Sequence, residues 1–245
     1  MKSPNLDLSL VMPVYNEAHL IGESVRCLVA FAQELELSFE LIVVNDGSND
    51  GSGLALAGLQ RKEPRLQVIE LLVNEGKGSA LQRGVLAAQG KVVATLDVDL
   101  STNLEALPRA LQAIAKGASM VIGNRRDPAS EVQTRQPWLR ALFGTLFNSM
   151  ARLLVWPAIG DFTCGFKVYR LAAARELFES LNIARWVFDV ELLAIARQRA
   201  IRVESIPVIW HHHSDTRVRL PGDALRALLD LLAVFGRRVG GAYRA

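Results

Sequence analysis

The sequence predicts an α/β fold: a mostly parallel sheet with helices on both faces, in a single domain. Short apolar runs alternate with helical-period segments over residues 8–122 in the order β-α-β-α-β-α-β-α-β. Parallel strands need crossover connections, and helices of this length supply them. Most of the runs end on turn-forming residues. Half of the 245 residues are apolar and 22% are charged, a balance that buries a substantial core. It excludes disorder, collagen-like repeats and a disulfide scaffold.

The first run, Leu8 to Met12, is short, apolar and closed by Pro13, as a buried strand would be. Asn16 is expected to cap a helix whose apolar positions Leu20, Ile21, Val25, Leu28, Val29 and Phe31 recur at helical spacing. A second strand is expected at Leu41–Val44, a helix over 52–62, a third strand from Gln67 to Leu72, a helix over 74–89 and a fourth strand from Lys91 to Leu96. A helix near 104–116 and a strand from Ser119 to Ile122 follow. Beyond residue 125 the pattern loosens into a loop over 125–137, an amphipathic helix over 138–155, a loop at 157–165 and a strand from Phe166 to Tyr169. Helices near 172–180 and 188–199, a strand from Ile201 to Ile206 and an amphipathic segment over 224–235 complete the chain.

The formal charge of +3 conceals an asymmetry. Residues 1–124 hold 10 basic and 14 acidic residues, whereas 125–245 hold 18 and 11. The basic part suits an anionic partner: nucleic acid, a membrane surface or a phosphate-bearing substrate. Its arginines are scattered among apolar helices and no nucleic-acid motif appears, so nucleic acid is not expected. With only Cys27 and Cys164 and no long apolar run over Met1 to Leu8, a reducing, cytoplasmic location without a secretory leader is expected. No stretch is apolar enough to span a bilayer, which takes roughly 20 residues. The segment 138–155 carries Leu139, Leu142, Phe143, Leu146, Met150 and Leu153 at helical spacing, with Arg140, Asn148 and Arg152 on another face. It suits an ordinary half-buried helix or one lying in a membrane interface.

In parallel sheets ligands bind beyond the carboxyl ends of the strands. Here those ends carry Pro13-Val14-Tyr15-Asn16-Glu17, Asn45-Asp46-Gly47-Ser48 and Asp97-Val98-Asp99. No Gly-x-Gly-x-x-Gly turn follows the first strand, which argues against a dinucleotide oxidoreductase, and Gly76-Lys77-Gly78-Ser79 lacks the leading glycine of a phosphate loop. Asp97 and Asp99 can point hard oxygen ligands at one site, suiting Mg²⁺ or Mn²⁺. The run His211-His212-His213 does not suit zinc, because consecutive residues in an extended segment point alternately to opposite sides.

Pro13–Glu17, Asn45–Ser48, Asn74-Glu75-Gly76-Lys77-Gly78 and Asp97-Val98-Asp99-Leu100, in this order, resemble the family 2 inverting glycosyltransferases of GT-A fold. Asp161–Lys167, Phe188-Asp189-Val190-Glu191-Leu192-Leu193 and Ile206-Pro207-Val208-Ile209-Trp210 resemble that family's polyprenyl- and dolichyl-phosphate branch. The resemblance covers roughly residues 8–232. It implies transfer of a hexose from a nucleoside diphosphate sugar, of the UDP-glucose or GDP-mannose type, to a lipid-linked phosphate at the membrane surface, aided by Mg²⁺ or Mn²⁺. Residues 1–124 would then hold nucleotide sugar and metal, and 125–245 the acceptor. A partner membrane protein or a second copy of the chain is a further implied possibility.

By resemblance, Pro13, Tyr15, Glu17 and Asp46 hold the nucleoside, Asp97 lies toward ribose and metal, and Asp99 binds the metal. Arg125, which matches a Gly-Ser-Arg position, reaches phosphate, with Arg126 as competitor; Arg217, with Arg219 as competitor, closes over the diphosphate from a mobile loop. Lys77 contacts the donor or fits a tight helix start, and Lys167 contacts the acceptor phosphate or forms an exposed flank. Asp161, Asp189 and Glu191 position sugar hydroxyls and arginines, and one of them could serve as base for a hydroxyl acceptor. Two departures stand out: Asn45 where the family commonly has Asp, and Ser101 where the mannosyl enzymes often have Gln. A soluble hydroxyl acceptor on the same fold, or a non-catalytic nucleotide-sugar binding protein, are the alternatives.

Overall fold

The computed structural model describes residues 6–133, 138–211 and 222–244. Strand β1 (Leu8–Val14) is buried on both faces, as a central strand must be. Helix α1 (Ala18–Glu34) leads to β2 (Phe39–Asp46), α2 (Ser52–Gln60) to β3 (Leu66–Leu71), and α3 (Lys77–Ala87) to β4 (Val92–Thr95). Then come α4 (Ala106–Ala115), β5 (Met120–Asn124), β6 (Glu131–Val132) and α5 (Trp138–Leu154). The chain closes with β7 (Lys167–Arg170), α6 (Leu171–Glu179), α7 (Phe188–Gln198), β8 (Val203–Pro207), β9 (Ile209–Trp210) and α8 (Gly222–Val239).

Seven strands form one sheet in the order β3-β2-β1-β4-β7-β5-β8, and β6 pairs with β9. Only β7 runs antiparallel to its neighbours, between β4 and β5. That inversion matters for the site. The residues that precede β7 arrive at the same sheet edge as those that follow the parallel strands. One face of the sheet is covered by the helices α1, α2 and α4, the other by α3 and α5 to α8, with a buried apolar cluster on each side.

Two expectations shift. Asn16 does not cap α1: it has a left-handed backbone (φ 55°), its N–H donates to Ser48 Oγ at 2.9 Å, and its Oδ1 accepts from the Asn49 N–H at 2.8 Å. It ties the β1 and β2 loops together, and Glu17 takes the N-cap position without a side-chain cap bond. Helix α3 starts at Lys77, not 74, because the backbone at Glu75 and Gly76 is bonded to Asp46. The short β6 and β9 carried no periodic signal, each being two residues long.

The C-terminal segment is anchored by one carboxylate. Glu191, fully buried in α7, accepts from Tyr243 Oη at 2.7 Å, Arg237 Nη1 at 3.0 Å, and the Asn182 and Ile183 N–H groups at 2.9 and 2.7 Å. Removing it strands several buried donors at once. Glu191→Ala should therefore lower unfolding free energy by about 3 kcal/mol or more, read from urea denaturation. A loss below about 1 kcal/mol would show that the C-terminal segment is held otherwise.

Candidate active site

Helices that follow parallel strands begin at the carboxyl edge of the sheet, which places Lys77 at the start of α3 there. The turn after β4 brings Asp97 and Asp99 to the same edge, β5 runs into Arg125, and the chain entering β7 brings Asp161 to Phe166. Helix α7 starts there too, with Asp189 in its first turn. The topology thus gathers residues from five distant stretches of the chain.

Three ion pairs define the cleft. Lys77 Nζ lies 2.5 Å from Asp97 Oδ1. Lys167 Nζ donates to Asp189 Oδ1 at 2.6 Å and to the Cys164 carbonyl at 2.5 Å. Arg125 clasps Asp161 with two parallel bonds, Nε to Oδ2 at 2.7 Å and Nη2 to Oδ1 at 2.9 Å, while its own N–H donates to Oδ2 at 3.1 Å. A bidentate pair of this kind fixes the guanidinium plane. Arg125 also donates to Thr163 Oγ1 at 2.9 Å and stacks over the Trp210 ring at 5.5 Å. Lys77 lies 6.0 Å from the Trp186 ring.

The protonation states follow. Burial pushes the Asp161 carboxyl up, but the Arg125 guanidinium and the N–H groups of Arg125 and Thr163 hold it down at about 2. Burial likewise disfavours charge on Asp97, yet the Lys77 ammonium, with Lys167 and Arg125 beyond it, keeps it below the usual carboxylate range. For Asp189 burial prevails and the carboxyl is pushed up despite Lys167. Lys77 is pulled down by burial and raised further by Asp97 and Asp189, so it stays an ammonium.

Close approach at this edge depends on glycines. A methyl group on Gly165 would come within 2.0 Å of Asp97 Oδ2, so only glycine lets β7 pass the carboxylate. Gly76 (φ 109°) and Gly78 flank Lys77, and side chains there would meet the Ala184 carbonyl at 2.6 Å and the Ile183 carbonyl at 2.5 Å. The loop before α7 thus rests directly on the turn that carries Lys77.

Several site residues stand differently from expectation. Lys167 is neither an exposed flank nor open to an acceptor: its side chain is 1% exposed and its ammonium is spent on Asp189 and Cys164. Glu191 faces away from the cleft, because residues two apart on a helix point nearly oppositely, and Asp189 takes the inward side. Asp46 is buried and accepts from Asn74 Nδ2 at 2.9 Å, Glu75 N–H at 2.7 Å and Gly76 N–H at 2.9 Å, so its carboxylate organises the β3–α3 turn. Burial pushes its acidity down despite those bonds.

Tyr15 is exposed at the end of β1, Pro13 pairs in register with Val44, and the Glu17 N–H donates to Ser52 Oγ at 3.2 Å. Arg126 Nη2 reaches the Gly144 carbonyl on α5 at 3.3 Å. Arg217, Arg219 and His212-His213 lie outside the described residues. Three groups were not singled out from the sequence: Asn74 as a partner of Asp46, and Trp186 and Trp210 as aromatic neighbours of Lys77 and Arg125. A tryptophan directly after Arg185 and three residues before Asp189 was the available signal for Trp186.

The donor chemistry fits a divalent cation. Among the described residues Asp99 Oδ1 accepts only the Ser101 N–H, at 3.0 Å, and Asp97 already faces a cation in Lys77. Among the described residues no group of three or more His, Cys, Asp and Glu side chains converges as a complete cation cage. Ligands beyond these two carboxylates would have to come from the substrate.

A mostly parallel sheet that takes in one antiparallel strand, with helices on both faces, is the architecture of the GT-A fold. The profile of "Glycosyl transferase family 2" matches residues 9–178, and the chain belongs to that family. It is 32% identical over 237 residues to a dolichyl-phosphate beta-glucosyltransferase of Trichomonas vaginalis, covering 92% of this chain and 70% of that protein. It is 30% identical to the Drosophila melanogaster dolichyl-phosphate beta-glucosyltransferase, over 99% of this chain and 78% of the other. In fold it matches glucosyl-3-phosphoglycerate synthase from Mycobacterium tuberculosis, solved with Mn²⁺ and UDP-glucose, at a TM-score of 0.67 and 20% identity, over 94% of this chain and 79% of that one.

The depressed acidity of Asp161 has a thermodynamic consequence. A carboxyl held at about 2 stabilises the fold above its unfolded value near 3.8 and loses that contribution as pH falls through about 2. The stability gap between the wild type and Asp161→Asn should shrink by about 2 kcal/mol between pH about 5 and 2, as measured by urea unfolding at stepped pH. A gap that stays constant would show that the Arg125 pair does not hold this carboxyl down.

Proposed function

We propose that the protein transfers glucose from UDP-glucose to a dolichyl or related polyprenyl phosphate, with inversion at the anomeric carbon and aid from a divalent metal. The observation that carries this reading is the pairing of the strand-edge carboxylates. Asp161 is committed to the partly exposed Arg125 and Asp189 to the buried Lys167. Neither is placed to take a proton from a hydroxyl acceptor. A phosphate monoester needs no such base, because it is already anionic near neutral pH. The relatives' names, dolichyl-phosphate beta-glucosyltransferase, support the same acceptor and sugar.

In this reading Lys77 and Arg125 supply fixed positive charge where two phosphate groups approach one another, and Asp161 and Trp210 hold Arg125 in place. Asp99 and Asp97 would hold Mg²⁺ or Mn²⁺, and the metal when bound would neutralise charge on the departing diphosphate. The Mn²⁺ in the mycobacterial structure supports a divalent ion. Asp46 shapes the turn beside the nucleoside, and Tyr15 offers it an exposed ring.

The helices of the second half support a lipid acceptor. Helix α5 exposes Leu142, Phe143, Leu146, Met150 and Leu153, and α8 exposes Leu225, Leu229 and Leu232. The two helices touch. No helix among the described residues is long and apolar enough to cross a membrane. Apolar faces flanked by arginines suit the surface of a bilayer, so the protein is read as meeting its acceptor from the membrane interface.

Purified protein with UDP-glucose, Mn²⁺ and a polyprenyl phosphate should move labelled glucose into the organic phase, and chelation should abolish transfer. Absence of lipid product with either UDP-glucose or GDP-mannose would overturn the reading. Lys77→Ala and Arg125→Ala should each lower kcat by about a hundredfold or more, measured in the same assay at saturating donor. Variants with near wild-type kcat would remove these cations from the mechanism.

A further inference from the structure

We propose that Arg185 and Arg226, which line one small pocket together with Trp186, form a phosphate subsite that receives the lipid acceptor's head before transfer. This inference rests on the lipid-phosphate reading above and adds a place for the acceptor outside the cleft.

A small pocket opens where the loop before α7 meets α8, lined by Arg185, Trp186, Val187, Arg226, Ala227 and Asp230. Among the described residues neither guanidinium has a hydrogen-bond or ion-pair partner. Both arginines are exposed and Asp230 interacts electrostatically with each, but two guanidiniums against one carboxylate leave an excess of positive charge, and guanidinium matches phosphate geometry. Asp230 is the one acidic group in the lining. The pocket therefore keeps a net positive charge to set against a phosphate monoester.

Its surroundings point to a lipid phosphate. On α8, Leu225, Leu229 and Leu232 share an exposed face, while Leu231 and Val234 are buried on the side that packs on the protein. Arg226 and Asp230, four residues apart, lie on the flank between these faces. A phosphate held by Arg226 would leave its hydrocarbon chain beside the exposed leucines. On the other side the pocket adjoins the cleft. Trp186 faces both the pocket and Lys77, and the Arg185 side chain lies 3.0 Å from where a methyl on Gly76 would be. The subsite thus joins the apolar face of α8 to the turn that carries a transfer cation.

The test uses the full chain and two acceptors: a short, freely soluble prenyl phosphate and a long polyprenyl phosphate in phosphatidylcholine vesicles. Arg185→Ala and Arg226→Ala should each raise KM for both acceptors about tenfold, leaving kcat and the KM for UDP-glucose within about twofold. Arg185→Lys and Arg226→Lys, which keep the charge, should recover most of the affinity. Inorganic phosphate should compete with the short acceptor in the wild type and less so in the alanine variants.

An unchanged acceptor KM would overturn the proposal. So would a rise confined to the vesicle-borne acceptor, which assigns the arginines to the bilayer surface, or a parallel rise in donor KM, which assigns them to the donor. If the wild type transfers sugar to no lipid phosphate, the functional reading fails separately. Binding of the short prenyl phosphate, followed by tryptophan fluorescence, then decides the subsite: weaker binding in the alanine variants upholds it, and equal binding overturns it.

Discussion

Three cations meet at one sheet edge, and each is set against a carboxylate. A lone ammonium or guanidinium in a partly dry cleft loses hydration that only a close opposite charge can replace. Lys77, Lys167 and Arg125 each have one, at 2.5, 2.6 and 2.7 Å. The rest of the site follows from this constraint. Gly165 is needed so that β7 can pass Asp97, Lys167 is sunk beneath the cleft, and Asp161 and Asp189 are each set against a cation. A site arranged this way is suited to holding anions together and poorly suited to activating a neutral hydroxyl.

Much of this was legible in the sequence. Alternating runs gave the strand and helix order, the rule that ligands bind beyond parallel strand ends pointed at Asp97 and Asp99, and the family resemblance added Lys77 and Arg125. Burial and pairing were less legible, for physical reasons. Lys167 in a short strand reads equally as a flank or a ligand until the antiparallel insertion of β7 between β4 and β5 places it under α7. Asp189 and Glu191 were expected to share a positioning role, although helical geometry sends them to opposite sides. Asn16 looked like a helix cap because the sequence does not show that Ser48 and Asn49 lie within hydrogen-bonding reach.

The division of charge along the chain acquires a physical meaning from the fold. Strands from both halves share one sheet, so the acidic first part and basic second part are two sides of a single edge and not two modules. Asp97 and Asp99 stand on the first, Arg125 on the second, and the arginine-flanked apolar faces of α5 and α8 extend the second side outward. Glu191 ties that outer layer to the inner one. It binds Tyr243 and Arg237 from the C-terminal segment and the backbone of the loop that rests on the Lys77 turn.

The central claim is that the nucleophile arrives already charged, because Asp161 and Asp189 are paired with cations and Asp97 and Asp99 are proposed to hold the metal, which leaves none of the four as a base. The most direct test offers the protein equal amounts of a prenyl phosphate and the prenyl alcohol of the same chain length, with UDP-glucose and metal, and identifies the glucosylated product by mass spectrometry. The account predicts glucose on the phosphate alone. Comparable transfer to the alcohol would contradict it.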